Sequence, residues 1–176
     1  MSNPHPSTSP AGRSTPPAGQ VDVRGPRFAA WITTAVLALV LILAAVSVPA
    51  ATVLLALQAI VFGLGAAHGP RRSPYGRLYA AAVAPRIGAP TELEPVAPLR
   101  FAQLVGLAFA VLGVLGFAAG SPVAGAIFTG FALFAAFLNA AFGICLGCKI
   151  YPLVARFRSA PGSTVPTSTS SVNSSV

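Results

Sequence analysis

Residues 28–70 read FAAWITTAVLALVLILAAVSVPAATVLLALQAIVFGLGAAHGP, and these 43 residues contain no Asp, Glu, Lys or Arg. A second uncharged stretch of 48 residues, 101–148, reads FAQLVGLAFAVLGVLGFAAGSPVAGAIFTGFALFAAFLNAAFGICLGC. A helix needs roughly 20 apolar residues to cross a bilayer, so each stretch is long enough for two crossings. Pro49 and Pro122 lie near the two midpoints, and proline interrupts a helix because it lacks a backbone N–H. The sequence therefore predicts two transmembrane hairpins.

The predicted fold is all-α, an integral membrane four-helix bundle. The predicted transmembrane domain covers 27–155, with helices at about 28–47, 50–67, 101–119 and 122–144 and a loop at 68–100. The composition excludes an ordinary soluble domain, because 8% of the 176 residues are charged and 55% are hydrophobic. Soluble domains carry about 25% charged residues.

The two hairpins resemble each other at an offset of 73 residues. Residues 27–29, Arg-Phe-Ala, match residues 100–102, and Pro49 matches Pro122. Internal repeats of this kind place corresponding residues at similar depth in the membrane. We therefore expect a bundle built from two similar hairpins.

The charged residues lie before, between and after the uncharged stretches, and they sum to a net charge of +8. An even number of crossings separates these three groups, so they lie on one side of the membrane. The positive-inside rule places that side, with both termini and the middle loop, in the cytoplasm. This topology also accounts for the basic pI of about 11.2, so we expect no nucleic-acid binding.

The two ends of the chain and the middle loop have different compositions. Residues 1–26 and 156–176 are rich in Pro, Ser, Thr and Gly, which predicts disordered cytoplasmic tails. Residues 71–100 instead predict a short amphipathic helix at the membrane surface, followed by an extended segment.

Cys145 and Cys148 are the only cysteines, and they form a C-x-x-C motif at the predicted cytoplasmic end of the fourth helix. This spacing serves thiol redox or sulfur chemistry, metal binding, or the packing of small residues at a helix end. A helix C-terminus disfavours a thiolate, and the neighbouring Lys149 would partly offset that effect. The residues alone leave these alternatives open.

His68 is a third candidate catalytic residue because its counterpart in the repeat, Ala141, lies one turn before Cys145. It could act as a base towards either thiol or as a third metal ligand, or it could simply cap the second helix. A closed zinc site needs four ligands and the chain offers three, so we predict no metal site and no cofactor held by this chain alone.

Arg71 and Arg72 lie in a compact loop of turn residues that could bind an anion such as a phosphate or a sulfur oxyanion. The alternative is contact with lipid headgroups. Within the spans, Gln58, Gln103 and Asn139 are the notable polar side chains, and they should face the bundle interior.

Four segments carry a resemblance to a known family. They are 69–75 (GPRRSPY), 90–94 (PTELE), 100–103 (RFAQ) and 137–148 (FLNAAFGICLGC). With these segments the chain resembles the DUF4395 family, small bacterial membrane proteins common in actinobacteria, over about residues 21–155. The resemblance implies a multi-pass protein of the bacterial inner membrane. Family members are often encoded near thioredoxin-like or sulfurtransferase-like proteins, which implies a cytoplasmic partner of that kind.

Our leading hypothesis is that the dithiol Cys145/Cys148 exchanges electrons or sulfur with a soluble partner, one cysteine attacking and the other resolving the mixed species. One alternative is a non-enzymatic membrane anchor for a cytoplasmic protein. Another is a small-solute permease, which would need a homo-oligomer because four helices are few for a transporter. The sequence does not decide whether the protein is an enzyme.

Overall fold

The computed structural model describes residues 19–90 and 92–158. Four long helices dominate it: α1 (Arg24–Val46), α2 (Val48–His68), α4 (Val96–Ala118) and α5 (Pro122–Phe142). Each is long and apolar enough to cross a membrane. The predicted bundle of four membrane-spanning helices is therefore confirmed.

The shorter elements lie at the end of the bundle where α1 begins. They are β1 (Gln20–Asp22), α3 (Pro74–Leu78), β2 (Leu93–Pro95) and α6 (Leu146–Arg158). α3 continues through a π-helical turn, Tyr79–Val83, and a 3-10 turn, Ala84–Arg86. β1 and β2 form a small antiparallel sheet in which Val21 lies opposite Glu94.

The four long helices pack in a ring in the order α1, α2, α4, α5, and each is antiparallel to its two neighbours. Each helix of the first hairpin thus packs against one helix of the second. Arg100 at the start of α4 donates from Nε to the Ala66 carbonyl (2.7 Å) and from Nη2 to the Ala67 carbonyl (2.8 Å) at the end of α2. Its counterpart Arg27, in α1, packs against Gly143 at the end of α5.

The two midpoint prolines lie in the first turns of helices rather than at the ends of the preceding ones. Pro49 is in the first turn of α2, where the side chain of Ser47 accepts from the Ala50 N–H (3.4 Å). Pro122 is the first residue of α5. The N–H groups of the first turn make no hydrogen bonds within the helix, so a proline there begins the new helix without removing a hydrogen bond.

The bundle is closed by a core of small and aliphatic side chains, with Leu37, Val40 and Leu55 fully buried. Large apolar side chains such as Ile42 (64% exposed) and Phe134 (59% exposed) point outwards. An exposed apolar surface of this extent is typical of a lipid-facing protein.

The structure corrects the predicted ends of the chain. Residues 20–26, predicted as part of a disordered tail, form β1 and the start of α1. α6 extends to Arg158, although we predicted a tail from residue 156. Residues 1–18 and 159–176, the remainder of both predicted tails, lie outside the described residues.

A polar cluster around Asp22 fastens the middle loop to the start of α1. The Asp22 carboxylate accepts from Arg24 Nε and from the Tyr79 hydroxyl, both at 3.1 Å. The Arg24 guanidinium also donates to the carbonyls of Ile87 (3.1 Å) and Ala89 (2.8 Å). Burial raises the pKa of Asp22, but the hydrogen bonds from Arg24 and Tyr79 outweigh it and hold the pKa below its usual range.

Asp22→Asn is expected to loosen this loop. The variant loses the ion pair with Arg24, so the backbone amides of β1 and β2 should exchange severalfold faster. Hydrogen exchange followed by mass spectrometry measures this. The pKa of Asp22 is lowered, so its stabilisation is complete above the unfolded-state pKa of about 3.9 and is lost as pH falls through the folded-state value.

Glu92→Gln is the matched control, because it also replaces a carboxylate by an amide, in an exposed side chain of the loop that the Asp22 cluster fastens. Its exchange and its acid dependence should follow the wild type. Equal exchange in Asp22→Asn and wild type would show that the cluster does not fasten the loop.

Candidate functional site

The C-x-x-C motif follows a sharp break in the chain after α5. Gly143 adopts a left-handed conformation (φ +66°), and its N–H donates to the Asn139 carbonyl (3.1 Å). The N–H of Ile144 donates to the Leu138 carbonyl (3.2 Å), which completes the usual glycine end of a helix. The predicted helix through residue 144 is therefore two residues too long.

Cys145 lies at the N-terminus of a new helix, directly before α6. Its Sγ accepts from the Cys148 N–H (3.3 Å), and its carbonyl accepts from the Lys149 N–H (3.1 Å), so Cys145 is the N-cap of α6. Our prediction that the cysteines lie at a helix C-terminus is wrong. The expectation that the helix dipole disfavours a thiolate is therefore reversed. The positive end of the α6 dipole and a backbone N–H favour a thiolate at Cys145.

Cys145 and Cys148 are joined by a disulfide, with their Cα atoms 5.2 Å apart. Both residues are half-buried. Their Cα separation lies within the range of about 4.4–6.8 Å that a disulfide can span.

One cation contacts the segment before the C-x-x-C motif, and another follows the motif in sequence. The guanidinium of Arg27 packs against Gly143, two residues before Cys145. Lys149 follows Cys148 directly and is exposed.

α6 is held against the start of α4 by a close contact. Gly147, inside the C-x-x-C motif, lies so near Ala102 that a Cβ at Gly147 would be 2.6 Å from the Ala102 Cα. The rings of Phe101 and Tyr151 lie 6.0 Å apart and extend the same interface. Close backbone packing between α6 and α4 thus fixes the position of the disulfide on the bundle.

Cys145 also lines a cavity of about 320 Å³ that extends into the bundle, bounded mainly by α1, α4 and α5. Gln103 and Asn139 line the same cavity, so two of the three polar residues expected inside the bundle lie in the region that reaches the disulfide. The third, Gln58, is buried (2% exposed) and accepts through Oε1 from the Tyr75 hydroxyl (2.7 Å).

A family model described as "Domain of unknown function (DUF4395)" matches residues 21–156. The chain belongs to the DUF4395 family. Comparisons with curated proteins and with solved structures find no match. The matched range begins in β1 and ends within α6, so it includes the bundle, the disulfide and the cavity.

His68, Arg71 and Arg72 lie elsewhere on the same end of this DUF4395 protein. His68 is the exposed last residue of α2, and the two arginines are exposed in the turn that follows. None of the three lines the cavity that reaches Cys145. Their roles as base and anion-binding residues stay predictions. Within residues 19–90 and 92–158, no three His, Cys, Asp or Glu residues group closely enough to hold a metal ion.

Two features of this DUF4395 protein were not predicted from its sequence: the start of α6 and the placement of Arg27. The signal for the first was present, because a glycine after the last apolar residue commonly ends a helix. No local pattern could have shown that Arg27 packs 116 positions away against Gly143, since that contact depends on the antiparallel pairing of α1 with α5.

Proposed function

We propose that this protein exchanges two electrons with a soluble dithiol protein through the Cys145–Cys148 pair. The observation that supports this function best is the N-cap position of Cys145. A thiolate stabilised by a helix N-terminus is a good leaving group and a good nucleophile near neutral pH. A pair of cysteines used only for packing has no need of that position.

The exchange proceeds in two steps. A thiolate of the partner attacks Sγ of Cys148, the disulfide bond breaks, and Cys145 leaves as the thiolate that α6 stabilises. The second thiol of the partner then attacks the mixed disulfide, forms the partner's own disulfide and releases Cys148. The partner loses two electrons and two protons, and the reverse sequence reduces a partner disulfide.

The charge distribution supports a cytoplasmic partner. The end of the bundle that carries the disulfide also carries Arg27, Arg71, Arg72 and Arg100, and Lys- and Arg-rich segments favour the cytoplasmic side. A thioredoxin-like protein is the soluble dithiol that best fits this chemistry. His68 and the two loop arginines would contact such a partner or an anionic group on it.

The test is the redox state of the two cysteines in intact cells that express the protein. Intact cells are treated with a membrane-permeant or a membrane-impermeant maleimide to locate the cysteines. Parallel cells are quenched with acid, denatured and alkylated at neutral pH to measure the redox state, and Cys145→Ser/Cys148→Ser is the background control. We expect labelling by the permeant reagent alone. We also expect the labelled fraction to change at least about twofold when the cells receive an oxidant or a reductant of thiols, because an exchanging pair follows its partner's redox state.

Cysteines whose redox state stays constant under both treatments would overturn the exchange function and leave the anchor hypothesis. In that case deletion of 71–100 would alter the phenotype of the cells, and the double serine variant would not. Labelling by the impermeant reagent would instead overturn the cytoplasmic orientation alone.

A further inference from the structure

The residues that line the cavity next to Cys145 are suited to bind an apolar, ring-shaped molecule. Aromatic side chains from three helices line it, including Phe62 of α2, Phe109 of α4 and Phe131 of α5. Its volume of about 320 Å³ lies within the range of small-molecule pockets, about 300–1,000 Å³. Cys145 is among the lining residues, so a molecule in the cavity lies next to this residue.

Two amide side chains provide the polar contacts. Gln103 and Asn139 line the cavity, and neither amide has a hydrogen-bond partner within 19–90 and 92–158. An amide in hydrocarbon without a partner costs free energy, so these groups favour a ligand that carries oxygen atoms. An amide can donate to a carbonyl and can equally accept from a hydroxyl. It therefore suits a ligand that alternates between those two forms.

The cavity also restricts how its ligand arrives. Phe131 and Phe134 both line it, and they are 54% and 59% exposed on the outer surface of α5, where lipid would contact them. No charged side chain is among the described residues that line the cavity, so it lacks the cations that phosphate groups of nucleotide cofactors need. The ligand that fits is uncharged and enters from the bilayer.

We propose that this cavity binds a lipid-soluble quinone, which takes the two electrons from Cys145 and Cys148. This inference rests on the proposed function and names its second substrate. The Cys145 thiolate adds to a ring carbon of the quinone, and the Cys148 thiolate then attacks Sγ of Cys145. The S–S bond forms, the C–S bond breaks, and its electron pair passes into the ring.

The balance of the reaction is complete. The dithiol is oxidised to the disulfide, the quinone is reduced to the hydroquinone, and the two protons from the thiols end on the two ring oxygens. Gln103 and Asn139 donate to those oxygens in the quinone and accept from them in the hydroquinone. The hydroquinone then leaves into the bilayer.

The experiment uses the purified full chain in detergent, reduced with dithiothreitol and freed of excess reductant. A short-chain ubiquinone analogue and a short-chain menaquinone analogue are added in separate series, and loss of quinone absorbance is followed. We expect one quinone reduced per dithiol, with a rate that saturates in quinone concentration. Gln103→Leu/Asn139→Leu should lower that rate at least tenfold, whereas Gln58→Leu, which removes an amide outside the cavity, should not.

Two further measurements keep the outcomes distinct. Opening of the disulfide by dithiothreitol without quinone reports the exchange function, and it should be unchanged in Gln103→Leu/Asn139→Leu. If the disulfide opens but quinone is reduced no faster than by the double serine variant, or without saturation, the quinone site is overturned and the exchange function stands. If the disulfide does not open, both the exchange function and the quinone site are overturned.

The second measurement is the thermal stability of the oxidised wild type, which should rise when quinone is added. No rise would overturn the quinone site, whatever the variants do.

Discussion

Cys145→Ser and Cys148→Ser are each expected to oxidise dithiothreitol at a rate at least ~100-fold below that of the wild type. Neither variant can form the internal disulfide that accepts the two electrons. The two positions should nevertheless differ in role. When glutathione opens the wild-type disulfide, we expect the adduct on Cys148 and the free thiol on Cys145, with about a tenfold preference. The thiolate at the α6 N-terminus is the better leaving group, since its sulfur accepts from the Cys148 N–H.

The measurement is a single turnover quenched with acid after seconds, followed by alkylation and peptide mass spectrometry. The two serine variants, each treated with oxidised glutathione, supply the reference adducts for the two positions. An adduct mainly on Cys145 would reverse the roles of the cysteines. An even distribution would show that the helix N-terminus does not direct the exchange.

The membrane architecture was predictable because the bilayer imposes a strong and local constraint. A hydrocarbon core excludes charge over about 20 residues at a time, so the two uncharged stretches are visible in the sequence without any knowledge of tertiary contacts. The repeat was also visible in the sequence, since Arg27 and Arg100 lie in the first two turns of corresponding helices and contact the ends of α5 and α2. The fold class therefore needed only composition and spacing.

The details of the site were less predictable because they depend on pairings between distant segments. The hydrogen bond between Tyr79 and Asp22 spans 57 residues, and that between Tyr75 and Gln58 brings a loop side chain to the middle of α2. Neither has a local sequence pattern. The C-x-x-C motif was found, but its electrostatic interpretation depended on whether the chain stayed helical through Gly143, and that glycine adopts a left-handed conformation.

The second large effect is expected at Gly147, the residue between the cysteines that fixes α6 to α4. Gly147→Ala should detach the start of α6 and lower the rate of disulfide exchange at least tenfold. Helix propensity alone predicts the opposite, since alanine is favoured over glycine by about 1 kcal/mol in a helix. The contact with α4 makes the substitution destabilising, because the new Cβ would lie 2.6 Å from the Ala102 Cα. A backbone atom cannot move away as the end of a flexible side chain can.

Overpacking of this kind costs about 1–3 kcal/mol, so we expect faster hydrogen exchange in α6 and a lower Tm for the oxidised protein. Gly130→Ala is the matched control, because no atom lies within 4 Å of the Cβ position at Gly130 in α5. That variant should keep the wild-type exchange rate and gain slightly in stability. If Gly147→Ala behaved like Gly130→Ala, the mounting of α6 on α4 would have no part in positioning the disulfide. Gly147→Ala could instead lose stability and keep the wild-type rate of disulfide exchange. The thiol chemistry would then depend on the N-terminus of α6 alone and not on the position of α6 beside the cavity.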